Sequence, residues 1–296
     1  MLAASILKRL NAEALILVTV VIWGANYPLA KFGLGGMHPF VFNAIRYITA
    51  AAVLMMVSAS RPGTIKIDPR DRWKLLWAGL VANVLYQVVF IIGLDMTTSG
   101  NSAVILSTSP LWTVFLHARM HHENIPRPML AGMVLSVIGV FFIILGSGKS
   151  FGFSGREFEG GCILLVAAFL WGLNTNLQKP LLRTYSPTHL SVILISVGAV
   201  GLTGLAVPYA VHANDGLPGL PYLFAAVLSG AFSIGIGNLF WSYGVKVLGP
   251  GKTSSFNNLV PVIALVLSYV YLQERLVPVQ IAGAAMTIAG VWAARR

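Results

Sequence analysis

The chain has 296 residues, of which 56% are hydrophobic and only 10% charged, and its mean hydropathy is +0.79. A soluble domain carries about 25% charged residues, so this sequence lacks the polar surface needed to face water. Its net charge of +11 does not point to nucleic acid, because the Lys and Arg residues sit between apolar runs rather than on one patch; in a membrane protein such a surplus belongs on cytoplasmic loops.

Lys8 and Arg9 precede the first apolar stretch, as in a secretory signal, but the stretch is long and many others follow, so it is read as a retained first span. Charge-poor runs then follow in order at 13–33, 38–58, 73–94, 101–119 and 128–146, and again at 160–181, 187–208, 219–243, 254–272 and 278–294. Runs of this length match a bilayer crossed at about 20 residues per helix. Backbone polar groups cannot stay unpaired in hydrocarbon, so the spans must be helices; barrel strands would be shorter and alternating. The prediction is an all-α integral membrane protein of ten transmembrane helices. Connections are short, and only 59–72, 147–159 and 209–218 exceed a turn. The single cysteine, Cys162, excludes an intramolecular disulfide and has no metal-ligand spacing around it. No cofactor or metal is expected.

The run WGANYPLAK at Trp23 returns as WGLNTNLQK at Trp171. Trp23, Gly24, Asn26, Lys31 and Pro39 match Trp171, Gly172, Asn174, Lys179 and Pro187 at an offset of 148. Farther along the offset becomes 151, pairing Gln87 with Asn238, Pro110 with Pro261, Glu123 with Glu274, and Gly132, Ser136 and Gly139 with Gly283, Thr287 and Gly290. The chain therefore divides into two copies, 1–148 and 149–296, each of five spans. Five is odd, so the second copy must enter the membrane from the opposite side, giving an inverted pair. With the N-terminus inside, fourteen Lys and Arg fall on the cytoplasmic loops and four on the other side. That bias sets both termini in the cytoplasm of a multi-pass inner-membrane protein.

Polar side chains within spans mark helix glue or a solute path. Asn83, Tyr86 and Gln87 share one face of span three, with Phe90 continuing it; Asn238 and Trp241 are their mates in span eight. Spans one and six offer Trp23, Asn26 and Tyr27 beside Trp171, Asn174 and Asn176, and spans four and nine offer Ser107, Thr108, Ser109 and Trp112 beside Asn257 and Asn258. Aromatic rings at this depth can stack on an apolar side chain, and the amides can bind an ammonium or a carboxylate. Arg46 is the one charge clearly inside a span. Left in lipid it would cost roughly 2.5–3.5 kcal/mol, so it needs a partner or water. Its mate is Leu194. A substrate carboxylate and neighbouring carbonyls are both open to it as partners.

Pro110 and Pro261 free a backbone carbonyl at matched positions and are candidate hinges, or plain kinks. Gly132 with Ser136 and Gly283 with Thr287 form small-residue patterns that favour close helix packing. No Asp or Glu lies in the middle of a span, which speaks against a membrane carboxylate for proton coupling. GPGKT at 249–253 lacks the first glycine of a phosphate loop, since Lys246 stands there, and reads as a short turn.

WGANYPLAK, FVFNAIRY in span two and LQERLVPVQIAGAAMTIAGV across spans nine and ten together resemble the EamA-type transporters of the drug/metabolite transporter superfamily. The resemblance covers nearly the whole chain and implies a ten-helix carrier with both termini inside, similar to bacterial amino-acid exporters, the aromatic ones included. The expectation is export of amino acids or related small metabolites by alternating access, by a working monomer whose partners are the solute and the lipid bilayer. A multidrug or other metabolite carrier on the same scaffold is the alternative, and an integral-membrane enzyme is the competing class.

Overall fold

The computed structural model describes residues 2–60, 65–96, 102, 105–122, 124–146, 155–211, 218–272 and 277–294. Among them all regular structure is helical: α1 (Leu2–Leu34), α2 (Pro39–Ala59), α3 (Arg72–Gly79), α4 (Tyr86–Met96), α5 (Ser109–His121), α6 (Arg127–Leu145), α7 (Gly155–Thr184), α8 (Pro187–Val211), α9 (Leu220–Leu228), α10 (Asn238–Leu248), α11 (Pro250–Ser255), α12 (Val260–Leu272) and α13 (Pro278–Ala294). Prolines open several of them. Pro39, Pro187, Pro250 and Pro278 stand first in α2, α8, α11 and α13, where a missing N–H costs nothing and the fixed φ already suits a helix. His38 caps α2, its Nδ1 accepting from the Phe40 N–H at 3.4 Å.

Among the described residues two rods contain a π-helical segment. A π-helical segment, Leu80–Leu85, joins α3 to α4, and a second, Ser229–Gly237, joins α9 to α10. At the offset of 151 residues these are the same place in the two copies. The predicted turn at GPGKT is corrected: Gly249 takes a left-handed φ of 84° and Pro250 then starts α11 directly, because glycine supplies the reversal and proline the helix entry.

Among the described residues six segments are long and apolar enough to cross a bilayer: Pro39–Ala59, Pro69–Leu94, Arg127–Leu145, Phe158–Thr184, Pro187–Ala210 and Leu220–Leu248; Pro278–Ala294 is a shorter apolar helix. Large side chains such as Leu17, Val18, Met56, Phe115, Phe141, Val200 and Trp292 stand exposed on these and neighbouring helices. Apolar surface that faces outward along whole helices is what lipid, not water, accommodates.

Two compact units partition the chain. One contains Met1–Val88 with Leu177–Val247, the other Val89–Asn176 with Leu248–Arg296. Each draws from both sequence copies. In the first unit α2 packs on α8 around Tyr47, Ala50, Leu54, Val192, Ile195 and Leu202. In the second α6 packs on α13, and the crossing is made of glycine. A Cβ on Gly132 would lie 2.5 Å from Gly290 O, one on Gly139 2.6 Å from Gly283 O, and one on Gly290 2.5 Å from Gly132 O. Residue numbers rise on one helix as they fall on the other, so α6 and α13 are antiparallel. The small residues predicted to let helices pack closely are found doing so.

Candidate functional site

The site residues read from the sequence fall into two groups, one per unit. In the first unit α1 runs antiparallel to the α9–α10 rod. Asn26 Oδ1 accepts from Ser229 Oγ at 2.6 Å, and the Trp23 indole N–H donates to Ser233 O at 3.1 Å. The Trp23 and Trp241 rings lie 5.2 Å apart and tilted; Trp241 is fully buried and Trp23 partly so. Both contacts to α1 come from the π segment. Widening a helix to i→i+5 bonds leaves carbonyls such as Ser233 O open to a side-chain donor. Asn238 follows the segment and turns its Nδ2 back to Ile234 O at 2.9 Å.

The matched π segment, Leu80–Leu85, carries Asn83. Its Nδ2 donates to Leu194 O at 2.9 Å while its Oδ1 accepts from the Tyr47 hydroxyl at 3.2 Å. Gln87 hydrogen-bonds to Tyr47 as well. Arg46, only 4% exposed, donates Nη1 to Asn43 Oδ1 at 2.8 Å and sits 5.3 Å from the Phe42 ring centroid. Tyr47 and Tyr86 are its electrostatic neighbours. Among the described residues no carboxylate pairs with it. Asn43 Nδ2, Arg46 Nε and Gln87 Oε1 are buried with no hydrogen-bond partner. Sequence reasoning passed over Asn43, although it stands three residues before Arg46 and four before Tyr47, the spacing that also joins Asn83 to Tyr86 and Gln87.

In the second unit Trp112 meets Phe169 edge-on at 5.6 Å, Asn257 Nδ2 donates to Ser109 Oγ at 3.0 Å, and Asn258 Nδ2 donates to Ser136 Oγ at 2.6 Å. Trp171 and Asn174 are buried in α7. Asn176 is held by Thr113 O and Gly172 O, both at 2.9 Å, and by His117 Nδ1 at 3.0 Å. His117 carried no signal in the sequence beyond standing with His121 and His122 near a span end. Pro110 stands second in α5 after the Ser107–Thr108 turn, and Pro261 stands second in α12 after the 3₁₀ segment Phe256–Leu259. Both matched prolines therefore restart a helix just beyond a stretch of non-α backbone. The Tyr27 side chain lies outside the described residues.

A cleft of about 510 Å³ opens elsewhere in the first unit, lined by Lys66, Asp68, Thr184, Tyr185, Ser186 and His189 among others. None of the predicted site residues reaches it. Its wall is braced by Tyr185, whose hydroxyl accepts from the Asp68 N–H at 3.2 Å and donates to Asp71 Oδ2 at 3.3 Å.

Two stretches, 10–145 and 159–295, each match the model of the EamA-like transporter family, so the internal repeat is a doubled family domain. The chain is 27% identical to an uncharacterized transporter, YyaM, of Bacillus subtilis, covering 96% of this chain and 93% of that one. It is 27% identical to a "Probable terminal-alkyne amino-acid exporter" of Streptantibioticus cattleyicolor, with the same coverage. It is also 27% identical to a "Probable amino-acid metabolite efflux pump" of Salmonella typhimurium, over 94% and 92% of the two chains. A crystal structure with 17% identity superposes at a TM-score of 0.82 over 96% of both chains, which is a likeness of fold.

Proposed function

Because the chain belongs to the EamA-like transporter family, as a multi-pass membrane protein, we propose that it exports amino acids or related small metabolites by alternating access. In this reading ten spans form two inverted five-helix copies in the cell inner membrane, with both termini cytoplasmic. One observation carries it: α6 and α13, the same helix in the two copies, pack antiparallel through Gly132, Gly139, Gly283 and Gly290. Copies inserted the same way up would present these helices parallel. Inversion supplies two mirrored packings of one scaffold, which is what opening to either side of a membrane requires. The names of the Streptantibioticus and Salmonella relatives support the amino-acid class.

The paired non-α stretches suit the moving parts. The π segments, and the breaks before Pro110 and Pro261, occur at matched positions, where backbone bonds can exchange partners at small cost. Trp23, Asn26, Tyr27, Asn83, Tyr86, Gln87, Asn238 and Trp241 in the first unit, with Trp112, Trp171, Asn174, Asn257 and Asn258 in the second, are the proposed solute contacts.

The test is flux of the radiolabelled L-amino acids through purified protein in liposomes, with reporter fusions for topology. We expect at least one amino acid to cross without chemical change. A fusion within 209–218 should read as extracytoplasmic and one within 61–72 as cytoplasmic. Movement of an organic cation or a sugar with no amino-acid flux would turn the assignment to the multidrug or metabolite alternative. Chemical conversion of the solute would replace transport by enzymology.

A further inference from the structure

The two copies supply a control for one another at α2 and α8. Asn43, Arg46 and Tyr47 correspond to Ser191, Leu194 and Ile195 at the offset of 148. At the matching positions of the second copy the polar side chain is paired: Ser191 Oγ donates to Ser242 Oγ at 3.2 Å, which donates to Gln178 Oε1 at 2.8 Å, while Leu194 and Ile195 are buried in the core. Even Asn238, the mate of Gln87, spends an N–H on Ile234 O. The first copy keeps a buried guanidinium in the place where leucine suffices for the second. The helix packing therefore does not need the charge.

Retaining it is costly. A buried charge without a counter-ion among the described residues, together with buried polar atoms lacking partners, disfavours the fold, the ion more than any neutral group. The unmet atoms form a pattern. Arg46 Nε and Asn43 Nδ2 are donors from one face of α2; Gln87 Oε1 is an acceptor. Gln87 is joined to α2 through Tyr47, next in sequence to Arg46. All three residues are at least nine-tenths buried. The unpartnered atoms in the second unit, Thr253 Oγ1 and Asn258 Oδ1, stand on different elements, the helix Pro250–Ser255 and the 3₁₀ segment Phe256–Leu259, and neither belongs to a buried guanidinium.

We propose that Asn43 and Arg46 anchor the carboxylate of the transported solute, with Gln87 accepting from a donor group next to that carboxylate. This rests on the transport reading above and deepens it: the solute must be a carboxylate bearer, and a neutral metabolite or bulky cation would leave Arg46 unpaired. Charge-assisted bonds to a carboxylate are stronger and shorter than neutral ones, so the anchor is also the main source of selectivity. Asn43 aligns the guanidinium by accepting from Nη1, which leaves Nε to face the solute.

The experiment uses the full chain in liposomes. Each L-amino acid that wild type carries is paired with its primary amide, which keeps the ammonium and neutralises the carboxylate. Wild type should prefer the acid over the amide by at least tenfold. Arg46→Leu installs what the second copy already tolerates, so it should fold; its preference should fall to within about twofold. Asn43→Ser, which copies the residue at Ser191, should raise KM for the acid at least threefold and that for the amide by a smaller factor, because the acid also loses the alignment of Arg46. Equal transport of acid and amide by wild type, or full selectivity in Arg46→Leu, would overturn the anchor and leave the transporter standing. Failure of both variants to fold would make the cluster structural and overturn it too. Absence of flux for every amino acid, with transport of tetraphenylphosphonium, would sink the amino-acid reading itself and the anchor with it.

Discussion

The α6–α13 crossing and the α2 surroundings both arise where one sequence copy meets the other, yet they are finished in different ways. At α6–α13 the match is symmetric: glycine faces glycine, and Ser136 and Thr287 occupy the same position in the two copies. Their hydroxyls are satisfied at home, Ser136 Oγ donating to Met133 O at 2.8 Å and Thr287 Oγ1 to Gly283 O at 2.9 Å. Around α2 the match is broken by Arg46, Asn43 and Tyr47, and buried atoms remain unpaired. A crossing that only holds helices together can keep the symmetry of its duplication. The broken symmetry around α2 is what the proposed carboxylate anchor would account for.

The largest expected effect tests the first half of that contrast. Gly139→Val would push a side chain against Gly283 O and Thr287 N, 2.6 Å from an added Cβ. Neither atom can retreat, since both belong to helix backbone. The expected loss is about 3 kcal/mol or more, at the upper end for overpacking, read as loss of monodisperse protein or a lowered unfolding midpoint in detergent. Gly204, in α8, has nothing within 4 Å of where a Cβ would stand, and Gly204→Ala should be neutral or stabilising by up to about 1 kcal/mol. Equal behaviour of the two variants would mean that the glycine crossing does not hold this unit together.

A smaller effect concerns polar closure of the same region. Ser136 Oγ is the acceptor for Asn258 Nδ2 at 2.6 Å, and both residues are buried. Ser136→Ala strands that amide and should cost about 2 kcal/mol, measured as a shift in unfolding midpoint. A midpoint that does not move would mean that this hydrogen bond does not close the region.

How much of this could be read in the amino-acid order differs by feature. That the chain is helical was legible, and three starts with it, because apolar runs of membrane length begin at the prolines 39, 187 and 278. The α6–α13 packing was legible too, since small residues four apart have few other uses. The π segments were not. Leu80–Leu85 contains side chains that any α-helix accepts, and one extra residue per turn leaves no trace in hydrophobic periodicity. Their consequence was equally hidden. The sequence offers Asn83, Gln87, Asn238, Asn257 and Asn258 as equivalent amides, but pairing distinguishes them: Asn238 is turned onto its own helix, Asn83 is occupied at both ends, and Gln87 Oε1 is left without a partner. Asn43 escaped notice because its role is set by a neighbour's unmet hydrogen bonds.

The smallest effect is the sharpest test of whether the first unit moves. Ser229 opens the second π segment, and its hydroxyl reaches Asn26 on α1 at 2.6 Å. Removing it in Ser229→Ala takes away one hydrogen bond worth about 1 kcal/mol. Asn26 is only partly buried, so no stranded group adds to the loss, and the unfolding midpoint should move less than for Ser136→Ala. If α1 and the π segment keep this bond in one access state and part in the other, the same 1 kcal/mol shifts the balance of states about fivefold. Flux under limiting gradients should then change severalfold while stability hardly responds. Were stability to fall as far as in Ser136→Ala with flux untouched, the bond would be permanent glue. The first unit would then be as static as the glycine crossing, and the contrast between the two regions would reduce to side-chain content.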